Sequence, residues 1–176
     1  MRISGGEFAG RIIKGSPGTH VRPTTDRARE SLFNILQNQF DFNELKVLDL
    51  FAGTGVIALE FLSRGALHVD SIDLNMKSVA FMQNLRDDFS VQNKWTIFKG
   101  NAMSWIKSSD LSAYNIIYAD PPYAWEYYNS FLNLMVEKMH TGTLFCLEHE
   151  RNKLLPHTTL IDEKVYGQSI ISFYRK

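Results

Sequence analysis

The chain has one cysteine, five prolines, no net charge and no apolar run approaching the roughly 18 residues of a membrane span. One cysteine permits no internal disulfide, which agrees with a reducing cytoplasm. Cys146 stands in the apolar run Thr143–Leu147 and is expected to be a buried small hydrophobe. With a single thiol and scattered histidines there is no metal-ligand spacing, so no metal is expected. Met1-Arg-Ile-Ser-Gly-Gly lacks the apolar core of a signal peptide. There is no internal repeat, low-complexity tract or linker. Nineteen basic and nineteen acidic residues exclude a broad field of one sign that would steer a polyanion to the whole surface.

What is present is ordinary in amount and uneven in placement. Apolar residues make up 44% and charged residues 22% of 176, which suits one globular domain with a proper core. Residues 1–30 carry six Lys/Arg against three acids, and the remaining 146 carry 13 against 16. A basic end on a mildly acidic body suggests a local anionic contact, and a solvated arm would give the same charge count. The glycine-rich stretch 1–21 reads as a small β-hairpin and loop, with Arg2, Arg11 and Lys14 available for phosphates. Thr24 or Thr25 can cap a helix whose apolar stripe is Ala28, Leu32, Phe33, Ile35 and Leu36.

From Lys46 the pattern alternates. Strands are expected at 46–50, 68–73, 95–98 and 114–119, and helices at 56–64, 75–89, 102–108 and 126–139. That order predicts right-handed crossovers and a mostly parallel sheet covered on both faces. After a strand at 143–148, the runs 159–166 and 168–174 meet at Gly167 with no room for a helix, so the sheet should end in an antiparallel hairpin.

Ligands of such sheets lie beyond the C-terminal strand ends. Asp49-Leu-Phe-Ala-Gly-Thr-Gly55 follows the first strand and opens a helix, so Phe51, Ala52, Gly53, Thr54 and Gly55 form a glycine turn near free helix N–H groups. Gly53-x-Gly55-x-x-Ala58 also fits a dinucleotide fingerprint. Asp49 speaks against a pyrophosphate, whose charge it would oppose, and favours S-adenosylmethionine, whose sulfonium and ammonium are cations. Asp73, followed by Leu74, ends the second strand, where a carboxylate can accept from ribose hydroxyls. Asn101 and Ala102 begin the next helix and can read an adenine ring, although Asn101 would also serve as a plain N-cap.

Asp120-Pro121-Pro122-Tyr123 follows the fourth strand. Prolines fix the backbone and remove two donors, so their carbonyls should point outward unpaired. Asp120 and the Pro121 carbonyl can accept the two hydrogens of an exocyclic amine, with Tyr123 stacked on an extracted base. Such an amine is a poor nucleophile, and orienting it is the main catalytic task. One of Trp125, Tyr127 and Tyr128 is expected to join that pocket. Glu148-His149-Glu150 reads as a solvated strand end.

Together these stretches resemble the RsmD-like family of bacterial ribosomal RNA methyltransferases. The resemblance runs through Arg2-Ile-x-Gly-Gly6 with Gly10-Arg11, Arg22-Pro-Thr-Thr-Asp-Arg-x-Arg-Glu-x-Leu-Phe-Asn34, the turn at 49–55 with Leu62-Ser-Arg-Gly-Ala66, Asn101-Ala102, Asp120–Tyr123 and Lys164-x-Tyr-Gly167. It implies a Rossmann-like class I methyltransferase fold of seven strands, S-adenosylmethionine as cofactor, and the N2 amino group of a guanine in 16S ribosomal RNA as target. It also places Arg22–Thr25 near the methionine end of the cofactor and the substrate entrance. Ala9, where relatives often carry a basic residue, and Ala58, where many have glycine, depart from the pattern. An adenine-N6 DNA methyltransferase shares the Asp-Pro-Pro-Tyr chemistry, but only 53 residues follow Tyr123, too few for a separate target-recognition domain. A non-catalytic RNA-binding factor would be expected to have lost one of the two motifs. The expected partner is the small ribosomal subunit or an assembly intermediate, met by a monomer.

Overall fold

The computed structural model describes residues 1–18 and 26–176. Helix α1 spans Asp26–Gln37, and a 3-10 turn at Phe42–Glu44 leads into β1, Lys46–Leu50. Then come α2 (Val56–Ser63), β2 (His68–Asp73), α3 (Met76–Asp88), β3 (Trp95–Lys99), α4 (Ala102–Ser108), β4 (Ile116–Ala119), α5 (Tyr128–Lys138), β5 (Leu144–Glu150), β6 (Leu160–Tyr166) and β7 (Ser169–Arg175). The seven strands form one sheet of order β3-β2-β1-β4-β5-β7-β6. The first five are parallel, and β7 pairs antiparallel with both β5 and β6.

The central strands are buried on both faces, which is why β4 reads as a continuous apolar run and β1 is buried from Val47 to Leu50 without alternation. Alternate residues serve different layers. Val47 packs with Leu32, Phe33, Leu59, Phe61 and Met82 under α1, α2 and α3. Leu48 and Leu50 pack with Ile106, Phe131, Leu132 and Met135 under α4 and α5. The turn between β6 and β7 holds Gly167 at φ 62, a left-handed conformation in which a Cβ would be strained. So short a link cannot carry a crossover, and β7 must run back. Cys146 is fully buried, as expected, and burial pushes its thiol pKa up. Among the described residues no helix is long and apolar enough to cross a membrane.

Two expectations need correction. The strand expected at 114–119, β4, starts only at Ile116, because Tyr114 closes a turn onto Leu111 and spends its hydroxyl on Asp70, 2.6 Å away. The N-terminal hairpin does not form. A single antiparallel bridge joins Arg2 and Ile12, and the backbone between them turns to helix α2 instead. Glu7 N donates to the Ser63 carbonyl at 2.6 Å, and Phe8 N to Ser63 Oγ at 2.9 Å. The two β-like pieces do meet, Ile3 N donating to the Arg11 carbonyl at 3.0 Å and Ile13 N to the Met1 carbonyl at 2.9 Å, but Ser4 N turns to Glu60 Oε1 at 2.8 Å and the pairing stops at one bridge. Gly6 permits this approach: a Cβ there would lie 1.9 Å from the Ser63 carbonyl oxygen.

Candidate active site

The turn after β1 is held in an uncommon backbone geometry. Phe51 has φ 59, Gly53 has φ 53 and Gly55 has φ 71. A bulky residue at positive φ is strained and persists only when its surroundings fix it. Phe51 is fixed edge-on between Trp125, 5.1 Å away, and Phe131, 5.6 Å away. Asp73 fixes the turn from the other side. Its Oδ2 accepts from Gly53 N and its Oδ1 from Asn75 N, both at 2.7 Å. Gly55 serves packing and not ligand approach, since a Cβ there would lie 2.7 Å from Met82 Cγ and 2.8 Å from the Trp95 indole.

Asp49 lies behind this turn. It is 1% exposed and does not line the cavity described below, and its Oδ2 has no hydrogen-bond partner among the described residues. Burial, reinforced by the nearby Asp73 carboxylate, pushes its pKa up to about 8. A carboxyl in that state is largely protonated at neutral pH, so the anion that the sequence suggested beside a cationic ligand is not Asp49. Asn101 caps α4, its Oδ1 accepting from Ser104 N at 3.1 Å. Its amide still faces the cavity, so cap and lining roles coexist.

The Asp120 loop is more firmly held than expected. The proline carbonyls are paired: Tyr128 Oη donates to the Pro121 carbonyl at 2.9 Å, and Trp125 N donates to the Pro122 carbonyl at 2.8 Å. Tyr128 is buried at the start of α5 and needs an acceptor, which the donor-free Pro-Pro step supplies. Burial and the neighbouring Asp120 push the Tyr128 hydroxyl pKa up, so it stays a donor. A carbonyl oxygen has two lone pairs, and Pro121 keeps acceptor capacity. Lys153, in the loop after β5, donates to the Tyr123 carbonyl and, at 3.2 Å, to that of Trp125, with its ammonium 4.3 Å from the Tyr128 ring centre. Nothing in the sequence around Lys153 signals this role.

Both motifs open on one cavity of about 840 Å³ at the C-terminal edge of the parallel strands. Phe51, Gly53, Asp73, Leu74, Asn101, Ala102 and the whole of Asp120–Tyr123 line it, whereas Ala52, Thr54 and Gly55 do not. Thr24, Thr25 and Arg22 lie outside the described residues. Of the three aromatics near Tyr123, Trp125 lines the cavity, Tyr128 supports it from below and Tyr127 is exposed. Among the described residues its charged lining side chains are all carboxylates: Asp73, Asp120 and Glu148. The strand end at Glu148 is not the solvated one expected from the sequence: Glu148 and His149 are 3% and 0% exposed because β7 covers β5. Tyr118 Oη donates to Glu148 Oε2 at 2.7 Å, and His149 pairs with Ser172 Oγ at 2.7 Å. Tyr166 and Ser169, from the C-terminal hairpin, close the cavity's far side, a contact no local pattern could announce. Among the described residues no group of three or more His, Cys, Asp or Glu is placed to hold a metal ion.

The N-terminal cations lie elsewhere. Helices α2 and α3 run back across the sheet, so their C-terminal ends mark the edge opposite the cavity. Arg11 sits there, its guanidinium 3.7 Å from the Phe89 ring centre and donating to the Asp88 carbonyl at 3.1 Å. Arg2 and Lys14 are exposed on the same segment.

Five parallel strands, a reversed seventh strand inserted before the sixth, and a cavity at the switch point between β1 and β4 define a class I methyltransferase fold. The family model described as conserved hypothetical protein 95 matches residues 1–175. The chain belongs to that family, the RsmD-like group that its motifs resemble. It is 31% identical to ribosomal RNA small subunit methyltransferase D of Escherichia coli K12, over 100% of this chain and 90% of that protein. It is similar to the solved structure of Escherichia coli yhhF, with TM-score 0.85 and 31% identity over 100% of this chain and 97% of the other. An RNA methyltransferase from Salinibacter ruber in complex with S-adenosyl-L-homocysteine superposes with TM-score 0.71 over 88% of this chain and 93% of its own. Its 12% identity makes that a likeness of fold alone.

Proposed function

We propose that this protein transfers a methyl group from S-adenosylmethionine to the exocyclic N2 amino group of a guanine in 16S ribosomal RNA, within a small subunit or an assembly intermediate, acting as a monomer. One observation carries the reading: the glycine turn and Asp120–Tyr123 line a single cavity whose charged side chains, among the described residues, are all carboxylates. Such a lining favours a cationic cofactor and disfavours pyrophosphate, and the volume is within the range of sites that enclose a small ligand. Asp73, through lone pairs not used on Gly53 and Asn75, faces the ribose, and Leu74, Asn101 and Ala102 face the adenine.

When bound, S-adenosylmethionine supplies an electrophilic methyl group. The protein's part is to present the amine. Asp120 and the Pro121 carbonyl accept its two hydrogens and turn the nitrogen lone pair toward the methyl carbon. As positive charge builds on nitrogen, Asp120 stabilises it and takes the proton that leaves. Tyr123 stacks on the flipped base, and Tyr128 and Lys153 keep the loop from yielding. Arg22, Arg2, Arg11 and Lys14 contact phosphates, the last three where RNA reaches round to the opposite edge.

The test is radiolabelled methyl transfer to unmodified small subunits, to their naked RNA and to unmethylated DNA, followed by nucleoside analysis. N2-methylguanosine from an RNA-containing sample is expected. N6-methyladenine in DNA would leave the fold standing and overturn the substrate.

A further inference from the structure

Glu148 is a buried carboxylate on the cavity wall that the mechanism above does not use. Its position relative to Asp120 is set by the sheet. Strands β4 and β5 are parallel neighbours with Ala119 level with Leu147, so Asp120 and Glu148 are the next residues along two adjacent stretches of chain. Both carboxylates lie close enough to Tyr128 to bear on its hydroxyl, and both line the cavity. Tyr118 Oη holds Glu148 Oε2 at 2.7 Å, which orients the side chain. A carboxylate has about four acceptor sites and can take a ligand donor beside that bond.

The cavity wall therefore carries three acceptors: the Asp120 carboxylate, the Pro121 carbonyl and the Glu148 carboxylate. Guanine carries three hydrogens along one edge, two on N2 and one on N1. Adenine carries two on N6, and its N1 is a lone pair. With the amine hydrogens on Asp120 and Pro121, the next ring position faces Glu148. A guanine N1–H donates to it, while an adenine N1 would meet a carboxylate with no proton between them.

We infer that Glu148 is the specificity residue that selects guanine over bases lacking an N1 hydrogen. The inference rests on the guanine-N2 reading above and assigns that site its discriminating contact. A site built to accept a donor rejects analogues without it, because its desolvated carboxylate then faces a lone pair and no proton.

2-Aminopurine separates the contributions, since it keeps the exocyclic N2 amine but has a lone pair at N1. The experiment measures kcat/KM for methyl transfer to small-subunit RNA carrying guanine or 2-aminopurine at the mapped target position, with the wild type, Glu148→Gln and Tyr118→Phe. The wild type should prefer guanine by about 10²-fold or more. Glu148→Gln can turn its amide N–H toward an N1 lone pair, so its preference should fall to near unity or reverse. Tyr118→Phe keeps the carboxylate and should retain the wild-type preference even where its overall rate drops. Cofactor affinity and thermal melting report whether each variant is folded. An equal loss on both bases in Glu148→Gln, or an unchanged ratio, overturns the inference and leaves guanine-N2 transfer standing. A wild type that makes no N2-methylguanosine overturns the proposed function and the inference with it.

Discussion

Two buried carboxylates flank helix α2, and they are treated in opposite ways. Glu60, near its C-terminal end, is fully buried and surrounded by donors: Ser4 N at 2.8 Å, Ser4 Oγ at 2.9 Å, Arg29 Nε at 2.7 Å and the Arg64 guanidinium. Asp49, behind its N-terminal end, is as buried but among the described residues leaves Oδ2 without a partner, and its pKa is raised to about 8. A charge stays buried only where donors replace water. The Glu60 end is therefore a lock, tying the start of the chain and α1 to α2, while Arg29 also donates to the Arg2 carbonyl at 2.6 Å and to Asp26 at 2.9 Å. The Asp49 end is left unsatisfied, next to the turn that meets the ligand. Stability is concentrated at one edge of the sheet and chemistry at the other.

Glu60→Ala should break the lock most visibly. Removing the acceptor strands Arg29 and Arg64, both with nearly buried side chains, and should cost about 3–5 kcal/mol in urea unfolding. A loss below about 1 kcal/mol, the scale of an exposed pair, would mean that the two edges do not differ as described. At the other edge, Asp120→Ala should leave the melting temperature and cofactor affinity nearly unchanged and lower single-turnover methyl transfer by about 10²–10³-fold. Near-normal turnover would remove Asp120 from the mechanism.

Asp49 sharpens the contrast through pH. Its folded pKa of about 8 lies above the ordinary 3.8, so between these values the native state holds a proton that the unfolded chain has released. Its stabilising effect is complete below pH 4 and is lost as pH rises toward 8. Asp49→Asn should flatten that decline, measured as the change in urea midpoint between pH 5 and pH 8. An unchanged slope would place the titration elsewhere. The smallest effect concerns Arg11, on the locked edge. If RNA extends that far, Arg11→Gln should weaken binding and reduce the salt slope by about one. An unaltered slope would confine RNA to the cavity edge and leave Arg11 to its contact with Phe89.

Much of this was legible in the chain because it depends on local rules. Apolar runs at 46–50 and 68–73 separated by helical spacing lead to a parallel sheet, and both ligand-facing motifs stand directly after strands, where the topology must gather them. The RsmD-like motifs carried the family for the same reason, since they are contiguous. The N-terminal hairpin failed because its short β-like pieces say nothing about a competing acceptor, and Glu60 on α2, 56 residues from Ser4, took the next donor of the ladder. Gly55 looked like a ligand glycine, but what fills its space, Met82 and Trp95, is brought there by folding.

The sequence by itself determined the order of elements, the antiparallel ending at Gly167 and the two strand-end motifs, because backbone geometry and hydrophobic period act over a few residues. Only the tertiary structure decided which carboxylates face the cavity. Asp49 and Glu148 each stand near a strand end in similarly apolar surroundings, yet one is sealed behind a turn and the other lines the wall. That choice depends on β7 covering β5, on Tyr118 reaching Glu148 and on Asp73 bracing Gly53, all contacts between residues distant in the chain.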